Sequence, residues 1–505
     1  MNGRTSWALQ TASVLMLLSV ALCAQGQGAA SGGVGAIESA LRLRQYELAI
    51  QLAQAELTRT PRDARILTLE GIAYSDVGAN RKALASFLRA LAVDPDSLAA
   101  LEGAAQLEFN AGDSGAEALL QRIVRIRPEE PTSHAMMGAI AYRRNDCPTA
   151  VEHFSKALAT IAQEPTALTE YGACLLDQER PEDAVVVLQQ AHAVKPEDAG
   201  LRYNLGVAQV AAHQDKEAID TLQPLIQAAH PDPEALDEAA AAYEDSSNTP
   251  EAVRLLRMAL IAGPKRLSFY TDFAALALKH SSWEVGLDVI NVGLRQLPDA
   301  APLYVARGIL HVQLSQFSEA QADFENANRL DPTQTSGAIG AGMAQMQQHN
   351  SEEALATVEA QLKTHPDDSF LLFIRASALL QSGPEPGSAR FAQARDAALK
   401  SIAARPGFIL PRDLLAGIYL ESGDYASAEE QCLAALALNP SDEKAIYHLI
   451  QALRKPGKDV HNEIPELTKR LALMLAETRK NEGAANRYRL YEPRADGAAE
   501  APQPK

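Results

Sequence analysis

An all-α solenoid is the fold this sequence predicts, and three observations predict it. Hydrophobic residues make up 47% of the 505 residues while aromatics supply only 5%. Much of the apolar share is alanine, the strongest helix former and small enough to let helices pack closely. Runs of β-branched residues in strict alternation, the mark of half-buried strands, are missing. Finally, proline recurs at a nearly constant interval, at Pro61, Pro95, Pro128, Pro165, Pro196, Pro231, Pro264, Pro298, Pro332, Pro366, Pro406 and Pro440. A period of about 34 residues means a helical unit that cannot bury its own apolar face and must stack on copies of itself.

The N-terminus reads as an export signal over residues 1–26. Arg4 is its only charge, and an apolar stretch runs from Ala12 to Leu22, interrupted by Ser13 and Ser19. That stretch is too short to span a bilayer comfortably, and small and polar residues follow it. Cleavage after Cys23, Ala24 or Gly26 fits. Lipid anchoring at Cys23 is the lesser alternative, because Leu22 stands where a bacterial lipobox wants a small residue. Residues 27–35 are expected to form a flexible lead-in.

Residues 36–455 carry the repeats. A small residue comes at one fixed offset before the prolines, as in Ala49, Ala83, Ala184, Ala252, Ala320 and Ala354. Gly71, Gly172, Gly308 and Gly342 stand earlier in their repeats, and bulky Phe87, Leu188, Leu256, Phe324 and Val358 stand closer to the proline, each set again at its own offset. Small residues belong where two helices cross, since a larger side chain would push their axes apart. Capping residues precede several prolines, as in Asp94-Pro95, Asp331-Pro332 and Asn439-Pro440, and proline suits the turn that starts the next helix.

These columns, clearest in Leu67 to Pro95 and Tyr304 to Pro332, resemble the tetratricopeptide repeat. The resemblance implies a right-handed superhelical solenoid of about twelve helix-turn-helix repeats. A thirteenth first helix, Asp442 to Leu453, has no second half in the pattern. The segment from Pro384 to Ala389 reads as an insertion between the two helices of one repeat. Residues 456–493 are expected to hold a C-terminal capping helix, from about Pro465 to Gly483, and 494–505 a disordered tail.

Net charge is −18, and the span between the export signal and Pro456 holds 36 basic against 56 acidic residues, a net of −20. Such a surface repels nucleic acid and anionic lipid, and favours a protein or peptide partner of basic character. Solubility alone also accounts for excess acid.

Catalytic and metal motifs are absent in substance. Gly112-Asp113-Ser114-Gly115 spells a serine-protease tetrapeptide but falls in a turn between helices, without the barrel, base and acid that chemistry needs. Gly337, Gly340 and Gly342 follow no strand, so helix packing accounts for them. The histidines form no helical metal pair, and neither cofactor nor metal is expected. Cys147, Cys174 and Cys432 have no regular spacing. Pairing of Cys147 with Cys174 is open, but buried free thiols are the expected state.

The resemblance implies that first helices line a groove holding a peptide or a partner helix. Candidate groove residues are Glu70, Glu170, Arg202, Asn204, Asp272, Tyr304, Arg307 and Arg412. The asparagine and lysine set of chaperone carboxylate clamps is missing, with only Asn204 in place. The expected function is a non-catalytic interaction scaffold or adaptor of a bacterial envelope, periplasmic or secreted. A periplasmic component of polysaccharide export or modification is the alternative.

Overall fold

The computed structural model describes residues 32–112, 115–454 and 463–485, and among them are 26 helices and no strand. The export signal, the tail from 494 and the basic, aromatic stretch Arg487 to Tyr491 lie outside the described residues. No described helix is long and apolar enough to cross a membrane. The chain divides into two compact units, Met1–Ala252 and Val253–Lys505, with the boundary inside the helix Thr249–Ala262. The fold is an all-α solenoid of tetratricopeptide-type helix pairs.

Within the first unit, pairs run from Gly32–Arg42 with Tyr46–Leu57 to Ala199–Ala211 with Asp215–Ile226. Each helix packs on the next in sequence, and most first helices also touch the first helix that follows. One continuous apolar core extends from Ile37 to Ala208. The second unit repeats the scheme from Leu267–Lys279 with Trp283–Gln296 to Glu443–Arg454 with Glu463–Ala485.

The small and bulky columns meet as their chemistry requires. Gly71 lies under the Phe87 ring, and a Cβ added there would stand 2.6 Å from ring carbons. The same sequence spacing joins Gly138 to Phe154, Gly172 to Leu188, Gly206 to Leu222 and Gly308 to Phe324. Gly337, Gly340 and Gly342 lie on the helix Ser336–Gln347 and face Phe324, Asn328 and Val358, which is helix packing and not a phosphate loop.

A second ladder marks the turn inside each pair. Backbone φ is positive at Arg44, Gly78, Gly112, Asn145, Glu179, His213, Ser247, Ser281, Ser315, His349, Gly383 and Gly423. Each lies one repeat beyond the one before, and only the last step is longer, because it spans the insertion. The left-handed residue reverses the chain between antiparallel helices in the space of one turn. Aspartates close the other ends: Asp63, Asp198 and Asp368 accept hydrogen bonds from backbone N–H groups of the first turn they precede.

Three expectations need correction. The flexible lead-in is helical from Gly32, because Ile37 and Ala40 are buried, the helix packs on Tyr46–Leu57, and that burial carries the helix back toward its start. The thirteenth first helix does have a partner: Glu463–Ala485 packs on it through Ile464 and Leu467, and Arg470 donates to the Pro440 carbonyl as Arg122 does to Pro95. Cys147 and Cys174 are not free thiols. They form a disulfide with Cα atoms 4.9 Å apart, joining the second helix of one pair to the first helix of the next. Cys432 remains a buried thiol.

Candidate functional site

The expected groove residues all stand on first helices, but many are committed to the fold. Arg202 Nη2 donates to the Pro196 carbonyl at 2.9 Å, Tyr304 Oη to Pro298 at 3.1 Å and Arg412 Nη2 to Pro406 at 3.0 Å. Tyr270 Oη does the same to Pro264 at 2.9 Å, and His134 Nε2 to Pro128 at 2.7 Å. In every case the donor lies at the same short offset after the proline. This is a tether that satisfies the inter-repeat carbonyl, whichever long donor supplies it.

Glu70 and Arg307 are likewise internal. Glu70 is buried, accepts from Ser86 Oγ at 2.8 Å and stands 3.6 Å from Arg89. Arg307 donates from Nε and Nη2 to the two oxygens of buried Asp323, and from Nη1 to Asn291 Oδ1. Asn204 and Glu170 are half-buried on their helices, and Asp272 is exposed. The structure therefore does not gather the eight into one site. Asp113 and Ser114 of the protease-like tetrapeptide lie outside the described residues; Gly112 is the left-handed turn residue, and Gly115 starts a helix.

Two groupings escape a sequence scan. His134, 1% exposed, places Nδ1 3.0 Å from His153 Nδ1. A carbonyl only accepts, so His134 Nε2 carries hydrogen toward Pro128, its Nδ1 accepts, and His153 donates. Burial, and then the neighbouring imidazole, hold His153 below the usual histidine range.

The second grouping surrounds Tyr203 on the helix Ala199–Ala211. Burial first, and then the charges of Glu238, Glu234, Asp232 and Asp237, push its phenol up to about 12. Those carboxylates stand on or just before the next first helix, Pro233–Asp245. A half-buried aromatic framed by acid, beside Asn204, can accept a cationic side chain over the ring or between carboxylates. The sequence signal was the cluster Asp232, Glu234, Asp237, Glu238; its nearness to Tyr203 required the stacking of first helices.

Tetratricopeptide-repeat family models match residues 68–131, 175–243, 301–334 and 413–442. The chain is 28% identical over 111 residues to the Protein SGT1 homolog of Bos taurus, covering 22% of this chain and 33% of that protein. It is 25% identical over 246 residues to the Hsp70-Hsp90 organizing protein of Triticum aestivum, covering 46% and 41%. The matched segments thus span well under half the length of these relatives. Among solved structures, yeast Tom70 is 15% identical with a TM-score of 0.41, covering 90% of this chain and 94% of that one. The Cut9 and Hcn1 hetero-tetramer of the APC/C gives 12% identity and a TM-score of 0.39, covering 88% of this chain and 99% of that one. With four segments matched, and with helix pairs that repeat one turn at a constant step, the chain carries tetratricopeptide repeats.

Proposed function

We propose that this protein is a non-catalytic scaffold or adaptor that binds a basic peptide or helix along its first-helix face. The observation that carries this reading is the acid-framed Tyr203 beside Asn204, on two adjacent first helices. Charge complementarity supplies the specificity, since four carboxylates within one short stretch make the local potential more negative and so favour a cationic partner. The relatives are named as an Hsp70-Hsp90 organizing protein and as a homolog of SGT1, which agrees with an interaction role.

An exported setting in a bacterial envelope, periplasmic or secreted, belongs to the same reading. The Cys147–Cys174 disulfide supports it, because such bonds persist in oxidising compartments and are rare in the cytosol. The apolar stretch after Arg4 supports it independently.

Fluorescence anisotropy with labelled peptides tests the proposal. Lysine- and arginine-rich peptides should bind in the micromolar range, roughly −8 kcal/mol, and weaken as salt rises. Acidic peptides of equal length should not bind. Glu234→Lys with Glu238→Lys should abolish binding while the far-UV circular dichroism stays unchanged. Equal binding of acidic and basic peptides, or no effect of the double variant, would remove this face as the site.

A further inference from the structure

We infer that His213, Asp215 and Asp245 form a site for a divalent transition-metal ion such as zinc. One donor atom from each lies within 4.8 Å of the other two, and His213 Nδ1 is 3.7 Å from Asp245 Oδ2. A tetrahedral zinc ion with bonds of about 2.0–2.2 Å would draw its donors to separations of roughly 3.3–3.5 Å. The His213 ring is 82% exposed, which leaves it room to turn toward the two carboxylates. The Oδ1 atom of Asp215 is shielded from solvent and has no hydrogen-bond partner among the described residues. A buried carboxylate oxygen in that condition is costly unless a cation meets it.

The repeats provide an internal control. His213 is the left-handed turn residue of its pair, Asp215 opens the second helix just after it, and Asp245 ends the next first helix. The first and third of these positions meet elsewhere too. Arg44 acts on the charge of Asp76, and the His349 ring stands 3.5 Å from Gln381. The backbone therefore brings these positions together as a matter of course, and residue type decides what they do. At the middle position those repeats carry Tyr46 and Ser351, which complete no donor set. Asn145, Cys147 and Asp177 come nearest, but the disulfide takes Cys147. Only at His213 do an imidazole and two carboxylates coincide among the described residues.

One nitrogen and two carboxylate donors suit zinc, cobalt or manganese, with water completing the shell. The ion would tie the turn of one helix pair to the end of the next first helix. Its role is a cross-link between consecutive repeats within the first unit. A helical metal motif was absent from the sequence because the ligands come from a turn, the helix after it and the end of a third element. The stack sets that arrangement, and no single helix does.

Calorimetric titration of the purified, chelator-treated protein with zinc, together with the visible absorption of added cobalt, tests the assignment. One ion per chain should bind with a dissociation constant on the order of 10 μM, and the cobalt bands should appear with it. His213→Gly removes the imidazole while placing at the positive φ the residue best suited to it, so the fold is not endangered. That variant, and Asp245→Asn, should weaken zinc binding roughly tenfold or more. His349→Ala, at the equivalent turn, should leave it unchanged. If zinc fails to bind the parent protein, or binds the His213→Gly variant equally well, the assignment is wrong.

Discussion

Arg307 holds the buried carboxylate of Asp323 through two hydrogen bonds, from Nη2 at 2.6 Å and from Nε at 2.9 Å. The carboxylate is 5% exposed and the guanidinium 25%, so neither charge is well served by water if the other is removed. Arg307→Met should therefore destabilise the second unit by about 3–5 kcal/mol, the range for orphaning a buried charge. Arg307→Met with Asp323→Leu should recover most of that loss. Urea denaturation followed by circular dichroism reads both variants. If the single variant is no less stable than the double, the pair does not fix these helices. Where the expected loss is seen, a binding defect in any Arg307 variant reports on packing before it reports on a partner.

The left-handed ladder gives a prediction of opposite sign. Glu179 has φ of 55°, a conformation that costs an L-residue roughly 1–2 kcal/mol and glycine little. Glu179→Gly should stabilise the first unit by up to about 1 kcal/mol, part of the gain being lost to the freer unfolded chain. Gly78→Ala, at φ of 74°, should lose about as much. Denaturation midpoints that move in the same direction for both variants would refute the strain argument.

The sequence carried the fold because each repeat writes its packing locally. Gly71 and Phe87, or Gly308 and Phe324, share one sequence spacing that recurs in pair after pair. Proline placed the inter-repeat turns, whereas the turn inside each pair is marked by backbone and not by residue type: Arg44, Glu179 and Ser281 share one conformation. The groove residues were less legible for the same reason. Arg202, Tyr304 and Arg412 resemble binding residues by charge and ring, yet all reach back to the carbonyl of the preceding proline. The regular offset from proline was the available signal. The disulfide was illegible because which helices abut at Cys147 and Cys174 is a property of the stack.

That disulfide closes a sequence separation of 27 residues, for which chain entropy gives about 3–4 kcal/mol. Cys147→Ser with Cys174→Ser should lose up to that amount, and amide exchange should quicken first in the helices Cys147–Ile161 and Pro165–Asp177. Alkylation of the denatured, unreduced protein should modify Cys432, and Cys23 where it is retained, but neither partner of the bond. Labelling of Cys147 and Cys174 without reductant would place the protein in a reducing compartment. It would also remove one support for export.

Asp413 makes the C-terminal end of the array sensitive to pH. The residue is 3% exposed on the helix Leu410–Ser422, and its Oδ1 has no hydrogen-bond partner among the described residues. Burial first, and then the charge of Asp442, raise its carboxyl to about 6, against the opposing charge of Lys444. Between its ordinary value of 3.8 and 6 the folded state binds the proton and the unfolded state releases it. Stability therefore falls as pH rises through that window, and the cost is complete by about pH 7, roughly 3 kcal/mol. Asp413→Asn should restore that amount at pH 7–8 and give little at pH 4, where the parent residue is already neutral. Exchange rates of the helices Leu410–Ser422 and Glu443–Arg454, measured at both pH values, separate the outcomes. An equal effect of the substitution at acid and neutral pH would mean that packing at this site matters and ionisation does not.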